Sequence, residues 1–489
     1  MPTSTSPDQT SPVTLRIETG NPAAEVFLLD PQLQLVARGV GSLVTRQIPG
    51  VYKIRVRLGR ESTTQLILLS GDTTESINAP LFASPAPLGT TTLTHEYHIA
   101  AAETHSAQPT VVLGEGASIF VLARYFTPPE QQARRQHHPG RDLALRHIDG
   151  TLLVDLGSAS ITGGPPDAWA ACHVQLAPGA YVLECQTAQG PLAHSIIASP
   201  GWQTQVFLIR PQTQSVADTD SAGGTIATGV FDMGTVLMSS GTFRSTSADL
   251  LLTELARIAL ADERPILGGP LRDLLMQKFS NPMQGIFGAH LMLLARDRSI
   301  VRPRQFDTGG RTVVPDPEQP FDPQLFDMVV SNLRGLVGTT HPDVEALSLQ
   351  CSNPAYRTKD VFTVPPMLRR SWSLIVEASN DHPEILDAML WERVMTRTMT
   401  APFLSWLVVS DDARADFHES MREVVESRRM MRDPEPRSPA ASVDEPLSGL
   451  APESAASSQA VSPTGDFRRR LSRDLEMPRS AIDRMLGRQ

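Results

Sequence analysis

The chain has 489 residues, 40% hydrophobic and 20% charged, which excludes wholesale disorder and allows about three domains, each with its own core. A formal charge of −10 argues against broad non-specific binding to nucleic acid or anionic membranes, and three cysteines cannot make a disulfide scaffold. The first nine residues lack the pattern of a secretory signal, no apolar run approaches the roughly 20 residues that span a bilayer, and the expected location is cytoplasmic.

Residues 1–12 are rich in Ser, Thr, Pro and Gln and are expected to be a disordered lead-in. Short β-branched runs follow at Val13–Ile17, Val26–Leu29, Leu33–Ala37, Val51–Leu58 and Gln65–Leu69, separated by Gly, Pro and Asp. That is the strand-and-turn signature of an all-β unit, a first β-sandwich over 13–80. A linker is expected over 81–109, a second sandwich over 110–211 and a connector over 212–244.

The two sandwiches share a block. Ile48-Pro49-Gly50-Val51-Tyr52-Lys53-Ile54 is echoed 129 residues later by Ala177-Pro178-Gly179-Ala180-Tyr181-Val182-Leu183. Pro fixes φ on entry, Gly is expected to accept positive φ, and Tyr starts the next strand with its ring on the core face. The pattern resembles the PEGA and carboxypeptidase-regulatory-like modules, whose hallmark is a Pro-Gly-x-Tyr hairpin. The resemblance covers these two blocks in the N-terminal half and implies a sandwich; it implies nothing about activity. A hairpin symmetric about Pro178-Gly179 would set Cys172 opposite Cys185, Val174 opposite Leu183 and Leu176 opposite Tyr181. The two cysteines read as small core hydrophobes before they read as a redox pair.

From Ser245 the periodicity becomes helical, and an α-helical domain is expected over 245–432. Thr246 with Asp249 suggests a capping box before Leu250, Leu255 and Ile258. Further helices are expected over Leu271–Phe279, Pro282–Arg296, Pro323–Leu336, Pro342–Leu349, Pro366–Ala378, Pro383–Met399 and Ala413–Met431, several opening on proline in the first turn. His341-Pro342-Asp343 and His382-Pro383-Glu384 look alike and hint at paired helical repeats.

Residues 433–465 hold six Pro, seven Ser and six Ala, a disordered-linker composition. A helical tail follows over 466–489, with apolar residues at helical spacing and seven arginines. Phe467, Leu471, Leu475, Arg479, Ile482, Arg484 and Leu486 are the expected partner-binding residues of a tethered docking motif. The same segment resembles the turn and second helix of a helix-turn-helix, but DNA reading needs such a helix mounted on a three-helix core.

Catalytic constellations are absent. His95, His98 and His105 would fall within about 80° of one another on a helix, yet the pattern is not His-Glu-x-x-His. Asp307-Thr308-Gly309 has no second copy with which to share a proton. The co-chaperone tripeptide His341-Pro342-Asp343 lacks a preceding basic helix. Cys351 has no protease context, and no nucleophile elbow or phosphate loop occurs. His290, following Gly285 and Gly288 on an apolar helix, reads as a core histidine. No catalytic, cofactor-binding or metal-ligating residue is assigned, and no cofactor is expected.

The fold class is therefore multidomain all-β plus all-α: two small β-sandwiches, a helical domain, a disordered linker and a short helical tail. The expected function is that of a non-enzymatic adaptor of a bacterial signalling or defence system, with protein partners such as a peptidase or signalling effector. The alternatives are an enzyme with an unrecognised site at His290, His341 or Asp307, and a DNA-binding regulator acting through the tail.

Overall fold

The computed structural model describes residues 11–21, 23–89, 91–125, 138–163, 168–210, 234–264, 281–301, 321–398, 401–430 and 463–486. Sheets fill the N-terminal half and helices dominate the C-terminal half, the expected order. The first sandwich has β1 (Val13–Glu18), β2 (Glu25–Leu29), β3 (Leu35–Val40), β4 (Ser42–Gln47), β5 (Gly50–Leu58), β6 (Glu61–Leu69) and β7 (Thr73–Ser76). The strand order is β6-β5-β2-β3-β4-β1-β7. β3 and β4 pair only through Val40 and Ser42, so the ribbon folds there and two layers enclose Leu15, Ile17, Leu28, Ile54 and Val56.

The second sandwich has β8 (Val111–Val112), β9 (Ala117–Tyr125), β10 (Leu143–His147), β11 (Leu152–Asp155), β12 (Ile161–Gly163), β13 (Trp169–Leu176), β14 (Gly179–Thr187), β15 (Gly190–Ala198), β16 (Gln203–Arg210) and β17 (Gly234–Ser239), with the short helix α2 (Leu156–Ala159) after β11. Its pairing repeats that of the first. β9 runs antiparallel to β13 and parallel to β16, as β1 does to β4 and β7. β14 lies between β10 and β15, as β5 lies between β2 and β6. Gly50 pairs with Leu69 and Gly179 with Ala198, so the spacing of 129 residues holds through both strands without a slip.

The expected Pro-Gly hairpin is corrected by this topology. β4 and β5 never pair, nor do β13 and β14; in each module the Pro-Gly step carries the chain from one sheet to the facing one. Cys172 pairs across β9 with Val121, and Cys185 pairs with Leu143 and Leu192. Cys172, Val174 and Leu176 on β13 and Tyr181, Leu183 and Cys185 on β14, expected as neighbours across one hairpin, instead line the same core from opposite sides. Both thiols are free and buried. Neither Gly50 nor Gly179 has positive φ. The tyrosine secures the step: Tyr52 donates to the carbonyl of Ile48 at 2.8 Å, and Tyr181 to that of Ala177 at 2.7 Å. Both rings are buried, as expected.

The second sandwich is covered on both outer faces, which is why its strands read as continuous apolar runs. One cover is α1 (Glu96–Ala107), inside the segment 81–109 expected as a linker. Ala101 and Ala102 of α1 pack with Phe120, Ala171 and Phe207. β17 likewise falls in the expected connector and pairs with β16.

The other cover is the helical body: α3 (Ala248–Ala261), α4 (Pro282–Val301), α5 (Pro323–Val337), α6 (Pro342–Ser348), α7 (Arg369–Ser379), α8 (Ala388–Val394) and α9 (Asp411–Met430). Ser247, not Thr246, caps α3, accepting from the Leu250 amide. The helix expected over 383–399 breaks into a 3-10 turn at Pro383–Ile385 and then α8, because Asp387 caps a new start. The two His-Pro segments therefore do not repeat one structure, and His382 is exposed where His341 is buried. The helix expected over Leu271–Phe279 lies outside the described residues. A strand within this body, β18 (Ser405–Leu407), adds antiparallel to β15 and stitches the two halves together. No helix among the described residues is long and apolar enough to cross a membrane.

Candidate functional site

The helix α7 has the wrong residue at its N-cap. Leu368 has no acceptor to offer the free amides of a helix start. The carboxylate of Asp343, from the first turn of α6, accepts from the amides of Met367 and Leu368 at 2.9 and 3.0 Å and from the Ser371 hydroxyl. Burial pushes its carboxyl up to about 6, against the pull of these bonds. His290 of α4 meets Ser371 from the other side, Nε2 to Oγ at 2.9 Å. His341 Nδ1 stands 3.9 Å from the carboxylate, and burial lowers this imidazole to about 4.

These side chains resemble a catalytic set in composition only. A nucleophile needs a base beside it and an orienting group behind the base. Here the serine sits between histidine and aspartate, and the other ring nitrogen of His290, Nδ1, has no hydrogen-bond partner among the described residues, so no group orients the imidazole as a base. Ser371, His290 and Asp343 are fully buried, so no substrate reaches the hydroxyl. The network joins α4, α6 and α7 and locks the start of α7. Asp307 lies outside the described residues. His98 accepts from the buried Arg124 at 3.1 Å, and among the described residues no three His, Cys, Asp or Glu side chains converge to hold a metal ion.

The opposite face of α7 receives the tail. Two helices, α10 (Pro463–Leu475) and α11 (Arg479–Met485), are joined at Glu476-Met477-Pro478 and pack on α7, α8 and α9 of their own chain. Of the expected binding residues, Leu471 and Ile482 are buried in this core, and Phe467, Leu475 and Leu486 are partly buried against it. Arg479 pairs with Asp483 at 3.7 Å and Arg484 with Glu392 at 3.7 Å. The seven are thus brought to one structure, five as its apolar face and two at its rim.

Sequence reasoning missed the centre of the contact. Glu476 takes a left-handed backbone, φ +47°, at a cost of about 1–2 kcal/mol. That turn aims its carboxylate at Arg369 (3.1 Å), Arg397 (3.3 Å) and Ser373 (3.0 Å). Its carbonyl accepts from the Trp372 indole at 3.3 Å, and Arg397 also donates to the Leu475 carbonyl. Burial alone would raise the Glu476 carboxyl, but Arg369 and Arg397 outweigh it and hold it below the usual range. Met477 is buried beside the stacked Trp372 and Trp391 rings. No local signal marks Arg369, Trp372, Ser373 or Arg397, because their partner is far away in the chain.

An open cleft of about 300 Å³ lies at Trp202, Ser239, Thr242, Arg244, Asp249 and Asn281. Its lining holds hydroxyl side chains with one carboxylate, Asp249, one cation, Arg244, and, among the described residues, no His or Cys.

The sequence matches no family model, and no curated protein matches it. Among solved structures the chain is similar to Drosophila OTK, extracellular domains 3-5, at 10% identity, covering 42% of this chain and 67% of that one with a TM-score of 0.09. Likeness at that level carries no argument about fold or function.

Proposed function

We propose that this chain is a non-enzymatic adaptor, cytoplasmic and belonging to a bacterial signalling or defence system, whose tail alternates between its own helical body and a protein partner. The observation that carries the proposal is the seating of Glu476-Met477 in the Arg369, Arg397 and Trp372 socket. A two-helix segment set off by a Pro-, Ser- and Ala-rich stretch has filled a groove with an acidic turn and an apolar face. Phe467, Leu471, Leu475, Ile482 and Leu486 cannot cover that groove and a partner together, so the two engagements exclude each other. Tethering favours the intramolecular one through an effective concentration of order millimolar.

Burial of Ser371, His290 and Asp343 supports an adaptor over an enzyme. The ion pairs of Arg479 and Arg484 with Asp483 and Glu392 support a protein dock over DNA. Three buried free thiols accord with a reducing compartment. A peptidase or signalling effector remains the proposed kind of partner.

The test is affinity capture with the intact chain, a Glu476→Lys variant and a chain ending at Arg432. A partner retained more by Glu476→Lys than by wild type, and lost from the shortened chain, is the expected result. Equal retention by all three overturns the proposal.

A further inference from the structure

The strand β15 is not the edge of its sheet. β18 adds beside it, pairing Leu407, Trp406 and Ser405 with Leu192, Ala193 and His194. The Val408 amide extends the ladder to the Pro191 carbonyl at 2.8 Å, and the Ser195 hydroxyl donates to Pro365 at 2.8 Å. An extended apolar segment from the helical body thus completes the second sandwich by strand addition.

The first sandwich has the same strand in the same register. Through the spacing of 129 residues, Thr63, Thr64 and Gln65 of β6 correspond to Leu192, Ala193 and His194, and Leu66 and Leu68 to Ser195 and Ile197. Among the described residues nothing pairs with the outer edge of β6. Ser195 and Ile197 are 0% and 6% exposed beneath the helical body, whereas Leu66 and Leu68 are 71% and 74% exposed. Val51 lies opposite Leu68 on β5 and is also exposed. A scattered surface leucine needs no explanation. Two at alternate positions of a free nine-residue edge, with no Lys or Pro in the strand, do need one.

We infer that β6 is a strand-addition site for an extended segment of a protein partner, running antiparallel and apolar at alternate positions as β18 is to β15. The partner's side chain opposite Thr64 takes the place that Trp406 holds opposite Ala193. Lys53 and Arg55 flank the site across β5, opposite Leu66 and Thr64, and form no ion pair among the described residues. The segment therefore carries acidic residues beside its apolar ones. Gln65 points to the other side of the strand, where its amide donates to Glu75 at 3.4 Å, and leaves this face open. This surface is separate from the tail and its groove, so either can fail alone.

The probe is a fluorescent peptide with the sequence of residues 403–412, the chain's own β18 with its flanking Asp411 and Asp412, added to the intact protein. Saturable binding that weakens about tenfold or more in Leu66→Lys/Leu68→Lys, and also in Lys53→Glu/Arg55→Glu, is expected. Leu152→Lys, an exposed apolar position on β11, should leave it unchanged. The charged side chains replace exposed ones, and an unaltered melting curve checks that the variants fold. No saturable binding, or binding indifferent to Leu66→Lys/Leu68→Lys, overturns the inference. So does concentration-dependent dimerisation in sedimentation that the same double variant abolishes, because the occupant is then a second copy of the chain.

Discussion

Arg397 grips Glu476 at 3.3 Å across a gap of 79 residues, and the same guanidinium lies 5.5 Å over the Trp391 ring. Both partners are largely buried, so removing one leaves the other as an unpaired charge in low dielectric. Glu476→Ala is expected to destabilise the docked tail by about 2–3 kcal/mol, a value set by charged hydrogen bonds and left below that of a fully buried pair. Faster hydrogen exchange and proteolysis confined to residues 463–486 check this. A double-mutant cycle with Arg397→Met should show that the two losses are not additive.

The same pair gives the dock an acid limit. The Glu476 carboxyl is held below its ordinary value of 4.5, so its contribution is full above 4.5 and is lost as pH falls through the folded value. Tail protection should collapse under acid before the sandwiches melt. Protection of 463–486 that is flat with pH would contradict this.

Buried histidines set a second pH dependence at higher pH. His341 is lowered from 6.5 to about 4 by burial, and neither ring nitrogen has a hydrogen-bond partner among the described residues. The unfolded chain binds this proton first, so folding loses about 2 kcal/mol between pH 6.5 and 5 from this group. His194 and His290 are shifted the same way. Asp343, raised from 3.8 to about 6, acts oppositely and favours folding more as pH falls from 6 to 3.8. Three histidines outweigh one carboxyl, so the melting temperature should fall from pH 7 to 5. His341→Leu should flatten that slope.

The tyrosine steps can be tested as a pair. Tyr52→Phe and Tyr181→Phe each delete one hydroxyl bond of matching length and should each cost about 1 kcal/mol in chemical denaturation. Unequal costs, with one near zero, would show that the two steps are held differently.

Arg124 makes a sharper case. It is buried, no carboxylate among the described residues pairs with it, and burial lowers its guanidinium to about 9. It donates to the carbonyls of Ser84 at 2.9 Å, Pro85 at 2.8 Å and Leu93, tying the segment before α1 to the second sandwich. Arg124→Met should destabilise by about 3 kcal/mol or more, since several buried carbonyls lose their donor. Increased proteolysis at residues 81–95 is the local readout.

Five of the seven strands of the first sandwich were legible as β-branched runs, and so was the repeat that pairs the two modules. β4 and β7 were not, because β4 buries only Leu43 fully and β7 is the polar Thr-Thr-Glu-Ser. The Pro-Gly step looked like a hairpin because both hairpins and sheet-to-sheet crossings need a tight turn. Only the partners of Cys172 and Cys185 distinguish them. β18 is too short to show a period of its own, although Phe403–Val409 is apolar but for Ser405 and lies between Pro402 and Asp411. The tail's apolar stripe was legible from helical spacing. Its socket was not, since Asp343 holding the Met367 and Leu368 amides ahead of α7 and Arg397 meeting Glu476 both join chain distant in sequence.

The most direct measurement of the central claim is the binding of a labelled peptide of residues 463–486 to a chain ending at Arg432, set against the intact chain. An exchangeable dock predicts saturable binding to the shortened chain, weaker by about tenfold or more with Arg397→Ala, and little binding to the intact chain, whose own tail fills the groove. No binding to the shortened chain, or equal binding to both, would contradict it.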